Sequence, residues 1–158
     1  MEAKLANRKT VQLTESGQQL GELIYENLFH LKAKIKLEDS DLYEIKPAGI
    51  FGTSITVTKN GTEVANLQMN WRGQIVFRFQ SGKEFVLKAK GLLQEKYMLE
   101  NSNEEKLVQF DPKFNWRKFD YNYSISYEKP QEALLILLGI YTCNYFIASM
   151  SGGFAGLA

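Results

Sequence analysis

The residues best suited to bind a ligand form a short run in the last third of the chain. Basic and aromatic side chains are interleaved between residues 113 and 119, which read Lys-Phe-Asn-Trp-Arg-Lys-Phe. Basic groups bind phosphates, while aromatic rings stack on bases or enter the headgroup layer of a membrane. We therefore expect an anion-binding surface formed by Lys113, Trp116, Arg117 and Lys118. The same pattern is also typical of a strand whose aromatic residues fill a core and whose basic residues face water.

A second basic group lies on one face of a predicted strand. Lys32, Lys34 and Lys36 alternate with apolar residues, so they share the face opposite the apolar one. Such a row attracts an anionic lipid surface by about 1 kcal/mol per lysine. Lysines on a sheet also protect it from pairing with other strands. Three acidic residues follow within five positions, and they cancel part of the positive field.

The chain offers little material for catalysis or metal binding. It has one histidine, His30, and one cysteine, Cys143, whereas a structural zinc site takes four Cys or His ligands. His30 has no nucleophile beside it in a recognisable motif. Cys143 lies in an apolar segment, where a thiol behaves as a small hydrophobic group. No phosphate-binding glycine loop is present in the sequence. We therefore predict a non-enzymatic protein without a cofactor or metal.

Length and charge are those of one folded domain. The chain has 158 residues, of which 44% are hydrophobic, and a net charge of +1. This length is sufficient for one core without disulfides, and the net charge does not favour a nucleic-acid partner. A single cysteine and the lack of an apolar segment at the N-terminus lead us to expect a cytoplasmic location, with or without membrane association.

Apolar and polar residues alternate through most of the chain. Runs with this period of two recur between residues 19 and 128, and turn sequences separate them. Asn60-Gly61 is typical of a tight hairpin. About 10–12 consecutive strands, each with one apolar face, favour an antiparallel β-barrel. Residues 1–18 are predicted to be a polar lead-in that contains at most a short strand at Val11–Leu13.

The last part of the chain changes character abruptly. All Lys, Arg, Asp and Glu residues lie in residues 1–132, and the following eighteen residues are almost wholly apolar. We predict a helix over residues 131–149, with a Gly-rich tail at 151–158. Gly139 and Cys143 would give this helix one narrow side. A helix that is apolar on all sides is either a buried core helix or a membrane span.

Three architectures are compatible with this helix. It can fill the interior of the barrel, since eighteen helical residues extend about 27 Å. It can anchor the protein in a membrane, although it is near the lower limit of about 17–25 residues for a span. A lipocalin-like carrier would need an empty interior, which a helix inside the barrel does not leave.

The strand Asp120–Tyr127 leads almost directly into the sequence Pro-Gln-Glu-Ala-Leu-Leu-Ile-Leu-Leu at residues 130–138. This order resembles the tubby C-terminal-like fold, which tubby proteins, phospholipid scramblases and LURP-one-related proteins share. The resemblance covers about residues 20–150. It implies a barrel around a hydrophobic helix and contact with phospholipids, but it transfers neither an activity nor individual binding residues.

The predicted function is therefore that of a non-enzymatic binding domain. Its partner would be an anionic phospholipid headgroup or a protein, bound through the outer surface of the barrel. The alternative is a tail-anchored membrane protein with a cytoplasmic β-domain.

Overall fold

The computed structural model describes residues 1–26, 32–48, 54–91 and 95–150. Twelve strands and one helix lie within these ranges. The strands are β1 (Glu2–Leu5), β2 (Thr10–Glu15), β3 (Gln18–Tyr25), β4 (Ala33–Leu37), β5 (Leu42–Ala48), β6 (Ser54–Lys59), β7 (Thr62–Met69), β8 (Ile75–Phe79), β9 (Glu84–Lys90), β10 (Lys96–Asn101), β11 (Lys106–Asn115) and β12 (Asp120–Tyr127), and the helix is α1 (Ala133–Met150).

The strands form a closed antiparallel barrel in chain order. Each strand pairs with the strands before and after it, and β1 pairs with β12 to close the ring. The fold class predicted from the alternating pattern is thus confirmed. The hairpin predicted at Asn60-Gly61 joins β6 to β7, with φ angles of 52° and 79° at these two residues. Two positive φ angles are what a type I′ turn requires.

The first eighteen residues are not the predicted lead-in. They form β1 and β2, which lie between β12 and β3 and close the barrel. Ala3 and Leu5 in β1, and Val11 and Leu13 in β2, are buried in the core. The short strand predicted at Val11–Leu13 is confirmed as part of β2. Strand β1 was missed because it has only two inward-facing side chains, one of which is alanine. So short an alternation cannot be told from a polar segment by period alone.

Strand direction sorts the connections into two ends of the barrel. Because neighbouring strands are antiparallel and follow chain order, every connection from an odd-numbered to the next even-numbered strand lies at one end. The helix follows β12 and therefore begins at the opposite end. There, Gln131 and Leu135 line a depression with the β8–β9 turn. Phe146 and Ser149 lie beside the β7–β8 turn. We call the end where the helix begins, beside the β8–β9 turn, the entry end. We call the end where the helix finishes, beside the β7–β8 turn, the exit end.

Helix α1 fills the barrel. It begins at Ala133, two residues later than predicted, and its side chains are buried on all sides: Ile136, Leu137, Leu138, Ile140, Tyr141 and Cys143 are each 0% exposed. The choice between a filled barrel and a lipocalin-like empty one is therefore decided in favour of the first. Within the described ranges, no helix combines the length and the apolar character that crossing a membrane requires.

Small residues let the helix and the wall approach each other. A Cβ atom on Gly139 would overlap the ring of Phe110 on β11, lying 2.9 Å from its Cε2 atom. A Cβ atom on Gly21 would lie 2.9 Å from Leu137 Cδ1. Both separations are below van der Waals contact, so both positions need glycine for packing.

We expect Gly139→Ala to lower the free energy of unfolding by about 1–3 kcal/mol, because the new methyl group overpacks the core against Phe110. In an unhindered helix the same change would stabilise the protein by about 1 kcal/mol. A loss of stability would therefore indicate a close contact at Gly139, and a gain would indicate free space there. Urea denaturation measures the free energy of unfolding of Gly139→Ala, of Phe110→Leu and of the variant that carries both changes. Phe110→Leu should cost less in the Gly139→Ala background than alone. An unchanged or raised stability of Gly139→Ala would contradict the packing described here.

One buried polar group fixes the helix within the barrel. Tyr123 Oη donates a hydrogen bond of 2.6 Å to Asn144 Oδ1, and Asn144 Nδ2 donates one of 2.8 Å to Tyr25 Oη. Burial raises the pKa of both tyrosines well above the ordinary value, so the hydroxyl groups stay protonated. Because an unpaired amide would be costly here, these bonds favour one axial position of the helix.

Candidate functional site

The two ends of the barrel differ in chemistry. The connections at the entry end, residues 16–17, 38–41, 60–61, 80–83, 102–105 and 128–132, contain no aromatic residue. Their acidic residues are Glu38, Asp39, Asp41, Glu104, Glu105, Glu128 and Glu132, and their basic residues are Lys83 and Lys129. The described connections at the exit end are instead basic and aromatic. They carry Arg8, Lys9, Lys32, Trp71, Arg72, Trp116, Arg117, Lys118 and Phe119, together with the acidic residues Glu26 and Glu95.

Two turns at the exit end share one sequence and one construction. Asn70-Trp71-Arg72 connects β7 to β8, and Asn115-Trp116-Arg117 connects β11 to β12. In each turn, asparagine Oδ1 accepts a hydrogen bond from the arginine N–H two residues later, at 2.9 Å and 3.1 Å respectively. This side-chain bond shapes the turn locally. We call the pair the Asn-Trp-Arg turns.

Both tryptophans of these turns face solvent. Trp71 is 88% exposed and Trp116 is 77% exposed. The residue before each asparagine is also large, apolar and exposed: Met69 in one turn and Phe114 in the other. Among the described residues, six large apolar side chains are exposed, and five of them belong to these turns or adjoin them. Because apolar exposure is concentrated at this end, the exit end is the candidate binding surface.

The β11–β12 turn is held in one conformation. Phe114 packs edge-to-face against Trp116, Phe119 and Tyr121, with ring centroids 4.7, 6.5 and 5.3 Å away. Phe119 has a φ angle of 52°, which is unusual for a bulky residue and must be imposed by its surroundings. Lys118 Nζ donates hydrogen bonds to the carbonyl oxygens of Leu5 and Ala6, the latter at 2.9 Å. These contacts tie the turn to β1.

The β7–β8 turn is braced in a similar way. Asn70 Oδ1 also accepts a bond of 3.0 Å from the Gln74 N–H, and Asn70 Nδ2 donates one of 3.1 Å to Gln74 Oε1. Gly73 has a φ angle of 75°, which glycine adopts without strain. The Arg72 guanidinium lies 4.9 Å from the centre of the Trp71 ring, so cation and ring are presented together.

The four predicted site residues have different environments. Lys113, Trp116 and Arg117 are exposed, as an anion-binding surface needs. Lys118 is half-buried, and its ammonium group is bound to backbone carbonyls, so it positions the turn. The structural interpretation, in which the aromatic residues of this run fill the core, does not hold for Trp116 or for Phe119, which is 70% exposed.

Two of the three lysines in the predicted row face carboxylates. Lys34 Nζ lies 3.4 Å from Glu26 Oε1, and Lys34 also faces Glu44 across the β4–β5 pair. Lys36 faces Glu22 across the β3–β4 pair. These neighbours offset the charges of Lys34 and Lys36, whereas Lys32 is exposed and forms no ion pair with a described residue. His30 lies outside the described residues.

Other basic residues of the wall are also paired with carboxylates. Six ion pairs among the described residues have nitrogen–oxygen distances between 2.6 and 3.4 Å: Lys4–Glu2, Lys34–Glu26, Lys46–Glu44, Lys59–Asp41, Arg78–Glu84 and Lys88–Glu100. By contrast, Arg8, Arg72 and Arg117 at the exit end form no ion pair with any carboxylate in the described part of the chain. Their charges are therefore available to an external anion.

The sequence pattern identified Trp116 and Arg117 of one Asn-Trp-Arg turn as candidate site residues, but it identified neither residue of the other turn. The repetition of this tripeptide could have revealed both, because each of the two tryptophans in the chain stands within a copy of it. What the tripeptide cannot show is that the two copies lie at the same end of a barrel, since that depends on strand order.

No group of three or more His, Cys, Asp or Glu residues suited to a metal ion is found among the described residues. Comparison of the chain with protein-family models, with curated proteins and with solved structures finds no match. The resemblance to the tubby C-terminal-like fold therefore stays a prediction.

Proposed function

We propose that this protein is a non-enzymatic domain that binds anionic phospholipid surfaces through the exit end of its barrel. One observation carries the proposal: Trp71 and Trp116 are 88% and 77% exposed, lie at the same end, and are each followed by an arginine without a carboxylate partner in the described residues.

Each component of these turns suits the headgroup region of a membrane. Tryptophan is enriched at membrane–water interfaces because its ring is largely apolar and its N–H group remains near water. Each arginine or lysine near an anionic leaflet contributes about 1 kcal/mol of attraction. Arg72 and Arg117 each adjoin a tryptophan. The insertion of the ring and the attraction of the cation therefore occur at the same depth in the headgroup region.

Charge distribution favours one orientation at such a surface. The exit end presents Arg8, Lys9, Arg72 and Arg117, whereas the connections of the entry end are rich in acidic residues. An anionic surface attracts the first end and repels the second, which steers the barrel as it approaches. The constrained turns also reduce the conformational entropy that binding would cost.

The proposal predicts binding that depends on both lipid charge and salt. Vesicles of phosphatidylcholine that also contain phosphatidylserine should sediment the protein, and added salt should release it. Arg72→Gln with Arg117→Gln should weaken this binding by about thirtyfold, since each cation contributes about 1 kcal/mol. Co-sedimentation at low ionic strength measures the effect.

The matched control changes two cations that already have partners. Lys4→Gln with Lys46→Gln removes the same charge from the wall, where Glu2 and Glu44 pair with these lysines. This control should bind vesicles almost as the unaltered chain does. Equal binding to neutral and anionic vesicles, or equal losses in both double variants, would contradict the proposal. Absence of vesicle binding by the unaltered chain would favour a protein partner for the same surface.

A further inference from the structure

We infer that a notch in the barrel wall at the exit end binds one phosphate group attached to an apolar moiety. The inference deepens the proposed function and rests on it, because it assigns a single-ligand site to the end proposed to face the membrane. The notch lies between the β7–β8 turn and the end of β9.

The notch exists because two neighbouring strands end at different levels. Pairing of β8 with β9 stops where Ile75 faces Leu87, but β9 continues to Lys90. The wall is therefore open beside the last three residues of β9. The opening is lined by Arg72 and Gln74 from the turn, Lys90 from β9, and Met69 and Phe146 among its apolar residues.

Two cations at this opening have no carboxylate partner. Lys88, the third cation there, is already neutralised, because its Nζ lies 2.6 Å from Glu100 Oε2. Arg72 and Lys90 form no ion pair within the part of the chain that the structure describes. Two such charges beside one concave opening match the charge of a phosphate group.

Two lysines face each other in the sheet beside the notch. Lys90 lies directly opposite Lys96 in the β9–β10 pair, and like charges in this position destabilise a sheet. Lys96 has only a distant partner, Asp111 Oδ1 at 4.0 Å. An anion bound at Lys90 would offset this repulsion.

Polar and apolar groups at the notch define the ligand further. Gln74 Oε1 accepts a hydrogen bond from Asn70, which turns the amide so that its nitrogen can donate to another group. Met69 and Phe146 provide an apolar surface beside the cations. Phosphate with an adjoining apolar group is the chemistry of a phospholipid headgroup, and a water-soluble phosphate ester shares its charged part.

Nuclear magnetic resonance of the full chain can test the notch with soluble probes. One probe is inorganic phosphate, and the other is dihexanoyl phosphatidic acid below its micelle concentration. Both should shift the backbone signals of Arg72, Gln74 and Lys90, and the lipid should bind at least tenfold more tightly. Lys90→Gln should weaken both affinities about fivefold, whereas Lys4→Gln on the wall should leave them unchanged.

Each outcome separates the inference from the proposed function. Tighter binding of the lipid supports a headgroup as the source of the phosphate. Equal affinities would overturn the apolar part of the inference and leave a site for phosphate alone. Absence of shifts at the three residues overturns the inference, even if anionic vesicles still bind. Trp116→Ala, which alters the other turn, should weaken vesicle binding without affecting either probe. If the probes bind at the notch and vesicles do not bind the protein, the proposed function fails and the phosphate site stands.

Discussion

A chain that ends at Glu128 is expected to have no folded barrel. The helix contributes a continuous set of buried side chains to the core, including Leu137, Ile140 and Tyr141. Fully burying a large apolar side chain stabilises a protein by about 1.5–3 kcal/mol. Loss of the whole set exceeds the net stability of a domain, which is about 5–15 kcal/mol. The remaining ring of strands would enclose apolar surface with nothing to cover it.

Circular dichroism and thermal denaturation measure this effect directly. The truncated chain should lack a cooperative transition, or should be recovered only from the insoluble fraction. A protease site placed between Glu128 and Lys129, which are both exposed, supplies the control. Cleavage there leaves the helix inside the barrel, so the melting transition should persist. A truncated chain that is soluble and melts cooperatively would show that the barrel does not need the helix.

The helix and most of the barrel could be predicted because the evidence for them is local. The absence of charged residues after residue 132 predicts the helix, and the alternation of apolar and polar residues before it predicts the strands. The turn at Asn60-Gly61 could be recognised from two residues, since its positive φ angles restrict the residue types. Strand β1 could not be recognised, because Ala3 and Leu5 are too few to establish a period.

The proposed binding surface was harder to predict because it depends on contacts between distant parts of the chain. Lys118 was expected to bind an anion, but it donates to Leu5 and Ala6 at the other end of the sequence. Trp71 was not identified, since only the strand order shows that it shares an end with Trp116. Sequence indicated the chemistry of the surface, whereas topology determined which residues form it.

Replacing both tryptophans with alanine is expected to weaken binding to anionic vesicles by at least about a hundredfold. Partial burial of an indole in the interface is worth about 1.5–2 kcal/mol, because the whole side chain offers about 150–250 Å² of surface. Trp71→Ala and Trp116→Ala alone should each weaken binding by roughly 10–30-fold. The losses should add as free energies, since the two turns belong to one rigid barrel and do not depend on each other for their shape.

Leu42→Ala provides the matched control for this prediction. Leu42 is the sixth exposed large apolar residue among those described, and it lies at the entry end beside the β4–β5 turn. Its replacement removes apolar surface from the end that we expect to face away from the membrane, so vesicle binding should not change. The melting temperatures of all variants should stay close together, because these side chains are exposed. Equal effects of Leu42→Ala and Trp71→Ala would mean that apolar exposure in general, and not the exit end, determines binding.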